Sequence, residues 1–497
     1  LFCRKIPKVL YRRSFRCTFM VHTISKEIIQ LDPEGIDFND KVAVKALILK
    51  LLNVIEAQTQ LTGDLQNENQ SLKDEINRLK GEKGKPKFPP EKAEKKKDTA
   101  NGDKKKKWHK SAKKQRIKID RTEYRKVDKN TLPPDAEHKG YRNVVVQNII
   151  FHTDNVEYKL ERFYSPCENK LYEAELPEDV HGEFKDELKA FIVYFYYACR
   201  VTENKIKKIL DEIGISISEG EISNILTLEK KEELTKEKEE ILKVGLESSN
   251  YFHTDDTGIK HKGKNHHIHA ICNELFSAFF ITLKKDSDTI RSILGLDEGE
   301  KIDKIMITDD ARQYLNIALY HALCWIHEIR LYKKLNPLID YHRILLQEFL
   351  TRVWRFYDRL NDFRKNPDEN EKEILGNEFD MLFSTETGYE ELDKRIALTK
   401  EKKEELLLVL WFPEIPIHNN PAELALRELV IKRKISNGTR SEDGKAAWEN
   451  QMSILDTCRK LGVSFFEYIM DIFSGMYAMP RLAYLISQNT SLKTTFY

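Results

Sequence analysis

Two aspartates and a glutamate are the residues of this chain best placed to do chemistry together. Asp255 lies within residues 251–259, whose alternation reads as a β-strand, and Asp309 follows a short apolar run, 304–308, that reads as another. Glu423 stands in Pro416-Ile417-His418-Asn419-Asn420-Pro421-Ala422-Glu423. There the Asn-Asn-Pro run caps a helix, and Pro421 suits its first turn. Converging carboxylates repel and raise a pKa unless a cation sits between them. Hard divalent ions such as Mg²⁺, or Mn²⁺, take oxygen ligands of this kind. A pair of them activates water and stabilises both the attacking and the leaving oxygen of a phosphodiester. Either aspartate alone reads far more readily as an exposed turn or cap residue; the three contexts together point to metal-dependent phosphodiester chemistry.

Other residues surround the three. Asp256 adjoins Asp255, and strand alternation lets only one of the two face Asp309. Arg427 lies one helical turn after Glu423, and Lys432, Arg433, Lys434 and Arg440 follow; such cations suit a phosphate backbone. Cys324 and His327 form a Cys-x-x-His element, open to a role near the site or to a buried structural one. Two such ligands do not make a zinc site, which needs four. His266, His267 and His269 alternate along a probable strand, so they do not gather on one face.

The elements that must position these residues read as a β-β-β-α-β series: strands at 251–259, 266–273 and 276–283, a helix at 287–294, then the strand at 304–308. That order fits a mixed sheet flanked by helices, within a catalytic domain of about 246–450. Residues of about 330–410 read as a helical insertion, able to contact DNA or a partner protomer, and 451–497 as a helical tail. Before the sheet, 119–245 reads as a small region with a strand pair at 143–151 and 156–164. Helices follow at 184–199, 203–213 and 219–226. The last two, joined at Gly214, resemble a helix-turn-helix, a pattern equally common in plain helical packing.

Residues 41–80 carry a heptad seam. Ile48, Ile55, Thr62, Asn69 and Ile76 form one series, and Leu51, Gln58, Leu65, Leu72 and Leu79 the other. This fits a parallel two-stranded coiled coil, with Asn69 fixing register, or an amphipathic helix packed on its own domain. The stretch 81–118 is lysine-rich. It includes Lys95-Lys96-Lys97 and Lys104 through Lys107, and is expected to be a disordered linker or a salt-sensitive DNA tether.

The 497 residues exceed one core, 40% are hydrophobic and 33% charged, and the net charge of +2 does not itself announce a nucleic-acid binder. Seven scattered cysteines without a Cys-x-x-Cys pair suggest a reduced, cytosolic protein. No apolar run reaches membrane-spanning length, and the basic N-terminus lacks a signal-peptide pattern. Residues 1–19, ahead of Met20, form an N-terminal extension (to about residue 40) that is open to being translated flanking sequence.

The segment 416–444, together with His253-Thr254-Asp255-Asp256-Thr257 and Ile307-Thr308-Asp309, resembles the insertion-sequence sixty-six transposases. The likeness runs from about residue 203 to 473. It implies a ribonuclease-H-like core of Asp-Asp-Glu type that cuts element ends, frees a 3′ hydroxyl and joins it to target DNA. Carried over, the triad falls on Asp255, Asp309 and Glu423, holding two Mg²⁺ or Mn²⁺ ions. Asp256, Cys324, His327, Asn419 and Asn420 are candidate supporting residues. Expected partners are terminal-repeat and target DNA, a second copy through the coiled coil and accessory transposition proteins, with no membrane, in a bacterial cytoplasm near the nucleoid. The sequence departs from the family pattern at His418, usually an acid, and Leu424, usually an arginine. Only Cys167 stands where relatives often carry a zinc unit, so zinc is not expected. The departures keep a rival open, a catalytically inactive DNA-binding relative. A purely structural coiled-coil protein is a weaker one.

Overall fold

In a computed structural model, residues 40–79, 119, 121–127, 141–148, 153–177, 180 and 182–494 are described. The lysine-rich stretch expected as a linker and nearly all of the N-terminal extension lie outside them. The chain divides into two compact units, Leu1–Gln66 with Thr153–Tyr497, and Asn67–His152. In the smaller unit the described residues hold the end of one helix and irregular segments, with Tyr124 and Tyr141 edge to face at 5.3 Å.

The larger unit is built on a five-stranded sheet. Its strands are β3 (Tyr251–His261), β4 (Lys264–Cys272), β5 (Ser277–Thr282), β6 (Ile302–Thr308) and β7 (Ala318–Leu323), in the order β5-β4-β3-β6-β7. The first three strands form an antiparallel meander, whereas β3, β6 and β7 run parallel. The helix α6 (Ser287–Leu294) makes the crossover from β5 to β6 and is capped by the Asp286 carboxylate on Thr289 N. The sheet is mixed, as the β-β-β-α-β pattern requires; β7 is an added fifth strand that the sequence pattern does not reveal.

Alternation along β6 divides two cores. Met306 faces one cluster, while Ile305 and Ile307 face the other. The first core joins the sheet to α2 (Asp186–Tyr197), α3 (Glu203–Glu212), α4 (Glu219–Thr227), α5 (Lys231–Glu247) and helices near the C-terminus. These last are α13 (Glu442–Leu461), α14 (Phe465–Ser474) and α15 (Leu482–Thr494). Residues of α13 bond directly to β5: Ser453 Oγ accepts from Phe279 N at 3.0 Å and Thr457 Oγ1 from Ser277 N at 3.1 Å. Boundaries near 245 and 450 therefore cut through a single core, and the expected separate helical region and tail are parts of it.

The second core is the helical insertion. It comprises α7 (Trp325–Lys333), α8 (Asp340–Lys365), α9 (Glu369–Leu382), α10 (Glu390–Lys400) and α11 (Lys403–Leu406), centred on Trp325. The indole N–H of Trp325 donates to Leu406 O at 2.8 Å, which satisfies the buried ring.

Two local expectations change. Among the described residues the strand pair is β1 (Arg162–Ser165) with β2 (Lys170–Glu173); of the expected pair at 143–151 and 156–164, residues 143–148 and 156–161 form no strand, 162–164 fall in β1, and 149–151 lie outside the described residues. A ladder needs a closing turn; residues 166–169 provide one, with Asn169 at φ 46°. The helix-turn-helix elements are present, but α4 carries Glu219 and Glu221 and no lysine or arginine. Acids at the start of that helix would repel a phosphate backbone, which favours plain helical packing.

The seam helix is α1 (Lys41–Leu79). Within the larger unit, one face of it docks on the insertion. Glu56 is buried and accepts from Ile339 N at 2.9 Å, at the start of α8. Asn53 donates to Gly388 O at 2.9 Å and accepts from Glu390 N at 3.1 Å. Ile48, Leu51, Ile55, Leu65 and Leu72 of the heptad seam remain exposed. Among the described residues no helix is long and apolar enough to cross a membrane.

Candidate functional site

The parallel pairing of β3 with β6 brings the first two acids to one level. Its last register pair is His253 with Ile307. Two residues further along each chain stand Asp255 and Asp309, one inside β3 and one just past the end of β6. Burial raises the Asp255 pKa to about 7, opposed by a hydrogen bond from Asp256 N and assisted by the charges of Asp309, Asp256 and Glu423. Burial also raises the Asp309 pKa, while His327 and the amide of Ala311 pull it back. Neither aspartate has an ion-pair partner among the described residues, and the charge of Asp309 adds to the burial that raises Asp255.

Asp256 points into a different environment. Gln313 donates to it at 2.8 Å, and Lys285 Nζ and His267 Nδ1 each lie 3.5 Å away. Its charge is already matched. Of the two neighbours, Asp256 is in an ion pair and Asp255 is not, although the charge of Asp256 also raises the Asp309 pKa.

Glu423 arrives on α12 (Asn420–Ser436), which is fastened to β3 at three levels. At its start Asn419 is fully buried. It donates to Thr254 O at 2.9 Å, meets His253 Nδ1 at 2.9 Å, and its amide donates to Cys324 Sγ at 3.2 Å. The Asn419 side chain therefore ties the helix to the strand and does not cap it. In its last turn, Arg433 donates to Thr257 Oγ1 at 3.2 Å. Past its end, Thr439 bridges β3: Thr439 N donates to Lys260 O at 3.0 Å and Lys262 N to Thr439 O at 2.9 Å. Gly438, at φ 102°, sits so close that an added Cβ would lie 2.0 Å from Lys260 O; only glycine fits there. His261 clasps the same loop through Thr439 Oγ1 at 2.8 Å and Glu442 at 3.0 Å.

The Glu423 carboxylate is not shared with the aspartates in this arrangement. Arg330 of α7 grips it with two bonds, 2.8 and 3.1 Å, and His327 Nε2 lies 3.4 Å from the same Oε1. Among the described residues, no three His, Cys, Asp or Glu side chains are gathered closely enough to hold a metal ion. The chemistry of the donors still fits a hard divalent ion. Asp255 and Asp309 offer oxygens without a counter-charge, and Glu423 carries a charge that reaches Asp255.

Of the expected phosphate-facing cations, Arg427, Lys434 and Arg440 are exposed and Arg433 is partly so. Lys432 is a correction. It is 3% exposed, donates to Tyr196 O at 2.8 Å and stacks over Tyr196, Tyr197 and Trp448. Burial lowers its pKa to about 7. The cause is helical phase: Lys432 continues the inward row Ala422, Ala425, Leu426 and Leu429. Asn420 is exposed, and Cys324 is buried against Asn419.

Sequence reasoning missed Arg330 and Lys402. The signal for Arg330 was available, since it lies three residues after His327 on one helix face. Lys402 bonds Asp310 at 2.6 Å and Glu328 at 3.3 Å, tying the insertion to the loop that carries Asp309. No sequence pattern announces it.

Residues 181–447 match the family model described as Transposase IS66 family. An uncharacterized protein, y4jO, of Sinorhizobium fredii is 40% identical over 169 residues, which is 34% of this chain and 52% of that protein. The chain thus spans about half the length of that curated relative.

Proposed function

The chain belongs to the IS66 family of transposases, and from that premise we propose that it cuts and joins DNA with a site formed by Asp255, Asp309 and Glu423. The observation that carries the proposal is the register of β3 on β6, which sets Asp255 inside β3 level with Asp309 just past the end of β6, both half-buried and neither in an ion pair among the described residues. The order β5-β4-β3-β6-β7, with only the meander antiparallel, supports a ribonuclease-H-like core.

Asp255 and Asp309 would hold Mg²⁺ or Mn²⁺, as two ions, with Glu423 completing the ligand set. Bound there, such ions lower the pKa of water and stabilise charge on a leaving oxygen. The protein's own residues do the rest. Asn419 fixes the start of α12 against β3 and so sets the reach of Glu423. Asp256, held by Gln313 and Lys285, orients the strand beside Asp255. Arg427, Arg433, Lys434 and Arg440 would bind the DNA backbone, and α1 would pair two copies through its exposed seam.

The test is incubation of the full chain with the DNA flanking its own gene, with and without Mg²⁺. The reading requires Mg²⁺-dependent nicking that leaves a 3′ hydroxyl. A second reading, an inactive DNA-binding relative, draws on Leu424, His418 and the Arg330–Glu423 pair. It is favoured if flanking DNA binds equally in chelator and in Mg²⁺ and no strand is cut.

A further inference from the structure

The three acids are treated unequally, and the difference involves one residue. Asp255 and Asp309 have no ion-pair partner among the described residues. Both oxygens of Glu423 are taken by Arg330 at 2.8 and 3.1 Å, and Arg330 also touches His327 Nε2 at 3.3 Å. A carboxylate gripped in this two-pronged way has its charge and one lone pair on each oxygen already engaged, so an ion must compete with the guanidinium for it. The helix of Arg330, α7, offers little freedom to withdraw from the carboxylate. Trp325 is bonded to Leu406 O at 2.8 Å, and Glu328 is buried against Arg395 and Lys402. Release must therefore come from the Arg330 side chain, which is 47% exposed.

We infer that Arg330 is a stand-in cation for Glu423: it holds the carboxylate until a divalent ion takes its place, and once displaced it grips a DNA phosphate beside the site. The guanidinium fork matches phosphate as well as carboxylate, so one side chain serves both partners. A free arginine next to a newly bound divalent ion would be repelled by it; a phosphate resolves that repulsion. Ion and DNA therefore assist each other's binding, and the chain without DNA holds its ion weakly. The inference rests on the metal-site reading above.

The experiment is Mn²⁺ titration of the full chain, followed by electron paramagnetic resonance, for wild type, R330Q, R330K and D255N. Without DNA, R330Q should bind Mn²⁺ more tightly than wild type, by about tenfold, equivalent to about 1.4 kcal/mol. R330K, which keeps a charge and loses the fork, should fall between. A mixed-sequence duplex should tighten Mn²⁺ binding to wild type by a similar factor and leave R330Q unchanged. D255N should bind no ion in the site. If D255N removes an Mn²⁺ ion whose affinity is the same or weaker in R330Q, the stand-in role is overturned and the metal site stands. If R330Q fails to fold by circular dichroism, an R330K affinity equal to wild type overturns it. A duplex that does not tighten wild-type binding overturns the phosphate role. If no Mn²⁺ ion is lost in D255N, the metal site itself fails, and the inference with it.

Discussion

The strand-borne acids and the helix-borne acid are held in opposite ways. Asp255 and Asp309 are set by the sheet, half-buried, and in no ion pair among the described residues. Glu423 is brought by a helix that needs three separate fastenings, and its charge is already matched by Arg330. Such frustration at two positions and satisfaction at the third are what a binding site balanced between unloaded and loaded states requires. On the proposed reading, the aspartates would keep demand for a cation high, and the glutamate would be exchanged into the set.

The contrast breaks most visibly when charge is removed. Asp255→Asn or Asp309→Asn should lower strand cleavage by roughly a thousandfold or more, yet leave the metal-free fold as stable or more so, by on the order of 1 kcal/mol, because a half-buried charge that repels its neighbours has gone. Glu423→Gln should be equally inactive but slightly less stable, by about 0.5–1 kcal/mol, since it strands Arg330. Thermal melting in chelator, run beside a gel cleavage assay, reads both. Stability losses of the same sign in all three variants would erase the distinction.

Next comes the fastening of α12. Asn419→Ala leaves His253 Nδ1 and Thr254 O without their bonds inside the core, at a cost of about 1–3 kcal/mol. Denaturant unfolding should record that loss, with cleavage falling further than stability alone explains.

Asp256→Asn sharpens the comparison within one strand. Its partners are Gln313, Lys285 and His267, so it should lose only about ten- to a hundredfold in cleavage. A dead Asp256→Asn beside an active Asp255→Asn would move the site by one residue.

The smallest effect is a slope against pH. The Asp255 pKa is raised from 3.8 to about 7 in the folded protein. Between those values the folded state holds a proton that the unfolded chain has released, so stability falls as pH rises through that window. Burial of Asp309 acts in the same direction. Melting temperatures of the metal-free chain from pH 5 to pH 8 (on the order of the window that linkage sets) should decline, and less so in Asp255→Asn.

Much of the sheet was legible because its strands keep period-two alternation between polar turns. β3, β4, β5, α6 and β6 fall within two residues of the bounds expected from pattern alone. β7 was not legible: Leu319 and Tyr320 are exposed at the sheet edge, so Ala318–Leu323 shows no inward stripe. Lys432 was misread by taking a basic run as a surface, when helical phase turns its middle residue inward. The strand pair was misplaced because apolar alternation does not reveal which turn closes. The Arg330–Glu423 grip spans 93 residues of sequence, a separation that no local pattern bridges.

The most direct test of the central claim is to substitute Fe²⁺ for Mg²⁺ in the DNA-bound full chain and generate hydroxyl radicals with ascorbate and peroxide. Radicals cut the polypeptide nearest the ion. Cuts should cluster around residues 255, 309 and 423 and vanish together in Asp255→Asn. Cuts elsewhere, or cuts at 255 and 309 that survive Asp255→Asn, would contradict a metal site formed by these three acids.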